Sequence, residues 1–293
     1  MRLSWLTLLL AFLYVPALGQ TALHDVENGG AGVRITAFVA DDAANAPTVI
    51  VCPGGSYCWL GVQKEGNDIC RWLNDNGISA VLLKYRTAGF GAWLLRYRYL
   101  FRGNRHPDMI CDLQRTVRYL RENATDLGID PERIGVMGFS AGGHLALSSA
   151  VFSDTDFTGM EHDGADVSLR PDFVAAVYPV VTMQEPYAHK RSRRALLGES
   201  DMNDSVMRDS LSIERHVHPD CPPVFLVNCK DDPTVDWHNS VLLADALDKA
   251  GVEYSYMCFD TGGHGFGARD DADAEYPAWK SAFISWLKGL KLK

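Results

Sequence analysis

Several things are missing from this sequence, and each absence narrows what the chain can be. Its 293 residues hold no CxxC pair, no HExxH and no Cys/His cluster with zinc spacing, so there are no sequence grounds for a structural or catalytic metal. Positive charge is scarce. There are 28 Lys and Arg against 37 Asp and Glu, a formal net charge of −9, and no basic stripe with interleaved aromatics runs through the chain. A surface of that sign repels phosphate backbones, so nucleic acid is not an expected partner. After the amino-terminal segment there is no apolar run near the ~20 residues that a membrane-spanning helix needs. Repeats and low-complexity tracts are absent too.

What is there begins with a leader. Arg2 precedes an apolar run from Leu3 to Val15, followed by Pro16-Ala17-Leu18-Gly19 with small residues at the −3 and −1 positions. This is the pattern of a cleaved signal peptide, so residues 1–19 are expected to be removed near Gly19, leaving a secreted or periplasmic protein without stable membrane insertion. Seven cysteines are odd in number and scattered over strand and helix candidates, and several read as small buried hydrophobes.

With 47% apolar residues, the rest of the chain, 20–293, can bury one large core as a single domain. Apolar, β-branched runs at 33–39, 48–52, 78–85, 133–137, 173–178, 224–229 and 253–259 alternate with amphipathic stretches. That alternation predicts an α/β fold with a mostly parallel central sheet and helices on both faces. Leu243, Leu247 and Ala250, and likewise Trp279, Phe283 and Trp286, fall on single helical faces. Two insertions, near 86–107 and 180–218, interrupt the rhythm after strand candidates. Loops leaving the carboxyl ends of strands border the ligand crevice in such sheets, so both are cap candidates; for the first, a helical turn packed on the surface is the alternative.

The strongest chemical signal is Gly138-Phe139-Ser140-Ala141-Gly142, between a strand and a helix-forming run. A serine on so tight a turn is held in strained dihedrals with its hydroxyl exposed above the sheet, which makes Ser140 the expected nucleophile. A serine hydroxyl needs an imidazole base oriented by a carboxylate. His264 follows the last strand candidate in a loop with Gly262, Gly263, Gly265 and Gly267, and is the expected base. Asp232 leaves the carboxyl end of strand 224–229 in a DxxV arrangement and is preferred as the acid over Asp231, with Asp260 a weaker rival. The oxyanion donors expected are the N–H of Ala141 and those of Gly55 and Ser56 after strand 48–52, with Gly54 as an alternative. Tyr57 and Trp59 are candidates to stack on a sugar face. His189 is a candidate substrate contact, or part of a solvated basic patch, and His144 a packing residue.

These pieces resemble the α/β-hydrolase esterases described as acetyl xylan esterases, relatives of hormone-sensitive-lipase-type and bifunctional carbohydrate esterases. The matching segments are Pro53-Gly54-Gly55-Ser56-Tyr57, the run from Asp112 to Arg118, Gly138 to Ala146, Asp231-Asp232-Pro233 and Gly262 to Gly267. Family members commonly carry a third glycine where Ser56 stands, and Ser56 would narrow the acyl pocket. The resemblance implies a serine esterase, free of cofactors, that removes O-acetyl groups from plant cell-wall polysaccharide or its oligosaccharides. Feruloyl ester hydrolysis, a serine exopeptidase and a catalytically idle binding module are the rival expectations.

Overall fold

A computed structural model describes residues 20–21, 33–94, 103–159, 167–271 and 274–291, apart from the side chains of residues 20, 21 and 93. The expected leader and most of the aromatic and basic side chains of the first insertion lie outside these. Eight strands form one sheet: β1 (Gln20–Thr21), β2 (Arg34–Phe38), β3 (Thr48–Cys52), β4 (Ser79–Lys84), β5 (Ile134–Phe139), β6 (Val174–Val177), β7 (Val224–Cys229) and β8 (Tyr254–Phe259). Their order is β1-β2-β4-β3-β5-β6-β7-β8, with β2 antiparallel to its neighbours and every pairing from β4 to β8 parallel.

Parallel strands need helical crossovers, and crossovers on both sides bury both faces of the sheet. Helices α1 (Asp68–Asp75), α2 (Phe90–Leu94), α3 (Asp108–Glu122), α4 (Ala124–Leu127), α5 (Ala141–Val151), α6 (Lys190–Leu197), α7 (Ser205–Ser210), α8 (His238–Ala250) and α9 (Ala278–Gly289) supply that cover. On one face Ile50 and Val136 pack with Leu113, Val117, Leu145 and Leu243; on the other Val49, Val51 and Met137 pack with Ile69, Leu73, Trp279 and Phe283. Alternate residues of one strand feed opposite cores, and for that reason the strand runs read as continuously apolar. Six of the seven cysteines are buried, Cys258 on β8 is half-buried, and no pair forms a disulfide.

Three sequence expectations shift. β5 extends two residues beyond the expected 133–137, so Gly138 and Phe139 belong to the strand and the turn comes at Ser140 itself. The short β1 was not expected. The insertion at 180–218 is less polar than it reads: Val180, Val181, Met183, Leu196 and Ile213 are buried and belong to the core, while α6 and α7 form its outer part.

Candidate active site

The carboxyl ends of β3, β5, β6 and β7 and the loop after β8 converge on Ser140. It stands between β5 and α5 with φ 53° and ψ −118°. A non-glycine residue held there carries of order 1–3 kcal/mol of strain, which the surrounding packing must offset. Crowding explains the small neighbours: a Cβ on Gly138 would lie 2.0 Å from the Gly142 carbonyl oxygen, and one on Gly142 would lie 2.1 Å from that of Cys52. The Ser140 N–H donates to Val177 O on β6, and its own carbonyl accepts from Val180 N–H. The strained turn is thus tied to the next strand.

His264 comes within hydrogen-bond reach of this serine, its Nε2 lying 2.9 Å from Ser140 Oγ. Its Nδ1 lies 2.6 Å from Asp232 Oδ2. A carboxylate accepts only, so Nδ1 carries the proton and Nε2 is left to accept from the hydroxyl. The Asp232 side chain is 1% exposed, and its second oxygen accepts the N–H groups of Thr234 and Val235. Asp231 points elsewhere: its oxygens accept from Gly262 and Gly263 N–H, pinning the loop that carries His264. Asp260 pairs with Lys230 at the surface. Only Asp232, of the three carboxylates weighed, touches the imidazole.

The loop after β3 takes a tight form. Gly55, Ser56 and Tyr57 have φ of 137°, 55° and 60°, and Cys58 and Trp59 N–H both donate back to Gly55 O. Among the described residues none accepts a hydrogen bond from the N–H of Gly55, Ser56 or Ala141. Gly54 is different, because its N–H donates to the buried Glu65 carboxyl at 2.8 Å and has no freedom to bind an oxyanion. Ser56 is buried beside this turn.

The same turn corrects the reading of Tyr57. It sends the ring inward, where it is 0% exposed and lies edge-on to Tyr85 and His144. With no open face, Tyr57 cannot stack on a sugar. Its hydroxyl donates to His144 Nδ1 at 2.8 Å, because His144 Nε2–H is committed to Leu211 O at 2.9 Å. Burial pushes the His144 pKa down to about 4, so the ring is neutral and links the loop after β3 to the 180–218 segment. Trp59, by contrast, is 39% exposed.

His189 sits at the start of α6 with Nδ1 2.8 Å from Ser192 Oγ. Burial pushes its pKa down to about 4, and the nearby charge of His264 adds to the shift. The His189 ring is therefore uncharged, while its neighbours Lys190 and Arg191 are exposed to solvent. Beside it Tyr187 stacks on His238 at 4.5 Å, with Trp237 tilted against the same ring. Sequence reasoning missed this aromatic group, because Tyr187 and Trp237 come from different elements.

A groove of about 520 Å³ opens between Leu60, Val62, Lys64 and Gly265, beside the His264 loop. A larger one, about 820 Å³, lies at the opposite, amino ends of the strands, lined by Arg121, Asp172, Pro223 and Glu253. Size alone does not mark the site. Among the described residues no cluster of His, Cys, Asp and Glu could hold a metal ion, and no helix is long and apolar enough to cross a membrane.

The BD-FAE family matches residues 38–247 of this chain. Endo-1,4-beta-xylanase B of Butyrivibrio fibrisolvens is 32% identical over 81% of the chain and 35% of its own length. The acetylxylan esterase of Xylanibacter ruminicola is 30% identical over 75% of the chain and 41% of its own. The chain thus spans less than half the length of these two curated relatives. The crystal structure of an acetyl ester-xyloside bifunctional hydrolase from Caldicellulosiruptor lactoaceticus superposes with a TM-score of 0.75 at 36% identity, covering 88% of both chains. By fold and by sequence, this chain belongs to the BD-FAE family, with an α/β-hydrolase fold.

Proposed function

We propose that this protein is a serine carboxylester hydrolase that removes O-acetyl groups from plant cell-wall polysaccharide or its oligosaccharides. The observation that carries the reading is the continuous relay from Ser140 Oγ through His264 to Asp232, at 2.9 and 2.6 Å, beside N–H groups from which no described residue accepts a hydrogen bond. Ser140 Oγ attacks the ester carbonyl while His264 Nε2 takes its proton. Asp232 holds the tautomer and stabilises the imidazolium. The carbonyl oxygen, now anionic, is received by the N–H of Ala141 with those of Gly55 and Ser56. His264 then protonates the leaving sugar oxygen, and water releases the acid from the acyl-enzyme by the reverse proton traffic. No cofactor enters these steps.

The acetyl assignment is supported by the similarity to the acetylxylan esterase and to the acetyl ester-xyloside bifunctional hydrolase. Trp59 and His189 are proposed as substrate contacts, and the leader pattern supports export. Two measurements test the function. Ser140→Ala should abolish hydrolysis of para-nitrophenyl acetate and block labelling by a fluorophosphonate probe; full activity in that variant would refute the mechanism. Acetate release should exceed ferulate release when acetylated xylan and a feruloyl ester are compared, and the reverse order would reassign the acyl group.

A further inference from the structure

Glu65 has no part in the relay, yet it lies directly behind it. It sits in a π-helical turn, Val62–Asn67, between the oxyanion loop and α1. Such turns interrupt regular helix and are frequent at functional sites. Its carboxyl is buried at 9% exposure and makes no ion pair with a described Lys or Arg. Desolvating a carboxyl is costly, and an apolar side chain of similar volume would fill the space without that cost. What the carboxyl contributes is reach across separate segments.

Its Oε2 accepts the N–H of Gly54 at 2.8 Å, and its Oε1 accepts the hydroxyl of Tyr178 at 2.8 Å. The same Tyr178 oxygen accepts the N–H of Gly267 at 3.1 Å. One carboxyl therefore joins the loop that presents Gly55 and Ser56, the residue that follows β6, and the loop that carries His264. Tyr178 is itself held at φ 39°, and its ring centroid lies 4.6 Å from that of His264. The fit leaves little slack: a Cβ on Gly54 would meet Glu65 Oε2 at 2.8 Å and Ser140 Cβ at 2.9 Å.

We propose that Glu65 is a positioning residue that, through Gly54 on one side and Tyr178 on the other, sets the oxyanion loop and the His264 loop in one mutual register around Ser140. It touches no reacting atom and acts only through the groups it holds. The inference rests on the assignment of Ser140, His264 and Asp232 as the catalytic set.

The test uses the full chain with para-nitrophenyl acetate. Glu65→Leu removes both acceptors while filling the space, and kcat is expected to fall about 100-fold, the order seen when an oxyanion donor is lost, with KM within twofold and the melting temperature unchanged or raised. Glu65→Gln can still accept from Gly54 and donate to Tyr178, and should keep at least a third of kcat. Tyr178→Phe deletes only the hydroxyl and should cost about tenfold in kcat; with Glu65→Gln it decides the matter should Glu65→Leu fail to fold. Folded Glu65→Leu or Tyr178→Phe with kcat within twofold of wild type overturns the proposal, as does a loss expressed mainly in KM or one that Glu65→Gln shares in full. Fluorophosphonate labelling of the wild type, run alongside, separates this failure from failure of the Ser140 assignment, in which case no labelling occurs.

Discussion

Asp231 and Asp232 are adjacent in sequence and divide two tasks between them. Asp232 gives one oxygen to His264 and the other to two backbone N–H groups, so it is fixed before it fixes the imidazole. Asp231 instead restrains the backbone at Gly262 and Gly263. Replacing Asp232 by Asn should lower kcat on para-nitrophenyl acetate by about 10⁴-fold, because an amide favours the wrong imidazole tautomer. Asp231→Ala gives up two hydrogen bonds, each worth about 1 kcal/mol, so a loss nearer tenfold is expected. Similar losses in the two variants would show that this division is wrong. The sequence could rank these carboxylates because a strand end followed by DxxV is a local signal. It could not point to Glu65 or Tyr178, whose partners are 11, 113 and 89 residues away. Nor could it reveal that Tyr57 faces inward, since that depends on positive φ at two non-glycine positions.

At the scale of elements, the first insertion is anchored where it leaves the sheet. Asp112 on α3, 0% exposed, accepts from the backbone N–H and the guanidinium of Arg86, just beyond β4. Burial pushes the Asp112 pKa up, while the Arg86 hydrogen bonds and charge pull it back. Removing one partner leaves the other short of a counter-charge, and Asp112→Ala should destabilise the fold by about 3 kcal/mol in denaturant unfolding. A loss below about 1 kcal/mol would mean that Asp108, which also pairs with Arg86, suffices alone. The two insertions are also tied to each other, since His106 N–H donates to Leu196 O and the Arg194 guanidinium to Ala92 O. Central strands were legible as continuous apolar runs because both their faces are buried, and core-facing helices from periodicity because each buries one repeating stripe. The 180–218 segment was not, because its apolar residues are spaced by tertiary packing rather than by any single period.

For the molecule as a whole, buried imidazoles set an acid limit. The folded pKa of His144 is lowered to about 4, against an ordinary value near 6.5, by burial. Above that ordinary value both folded and unfolded chains carry the ring neutral and its contribution is complete. As pH falls toward 4 the unfolded chain takes up the proton and the folded chain does not, so stability declines by on the order of 3 kcal/mol. Gln in place of His144 can accept from Tyr57 and donate to Leu211 without titrating. The stability advantage of wild type over His144→Gln should therefore shrink between pH 7 and pH 4.5, and a gap that stayed constant would remove His144 from the account.

A sheet buried on both faces also keeps its own record of being folded. Six sulfhydryls lie inside and only Cys258 is half-open, with no cross-link to hold the chain together. Burial pushes Cys229 up to about 12, so its thiolate is scarce even where a reagent could approach. Alkylation of the native protein should mark one position quickly and the other six only as fast as the whole core opens. Reductant should leave the melting temperature where it was. Mass spectra that count added alkyl groups over time would then read the global opening rate directly, and several rapid additions at native pH would show that the core breathes in parts.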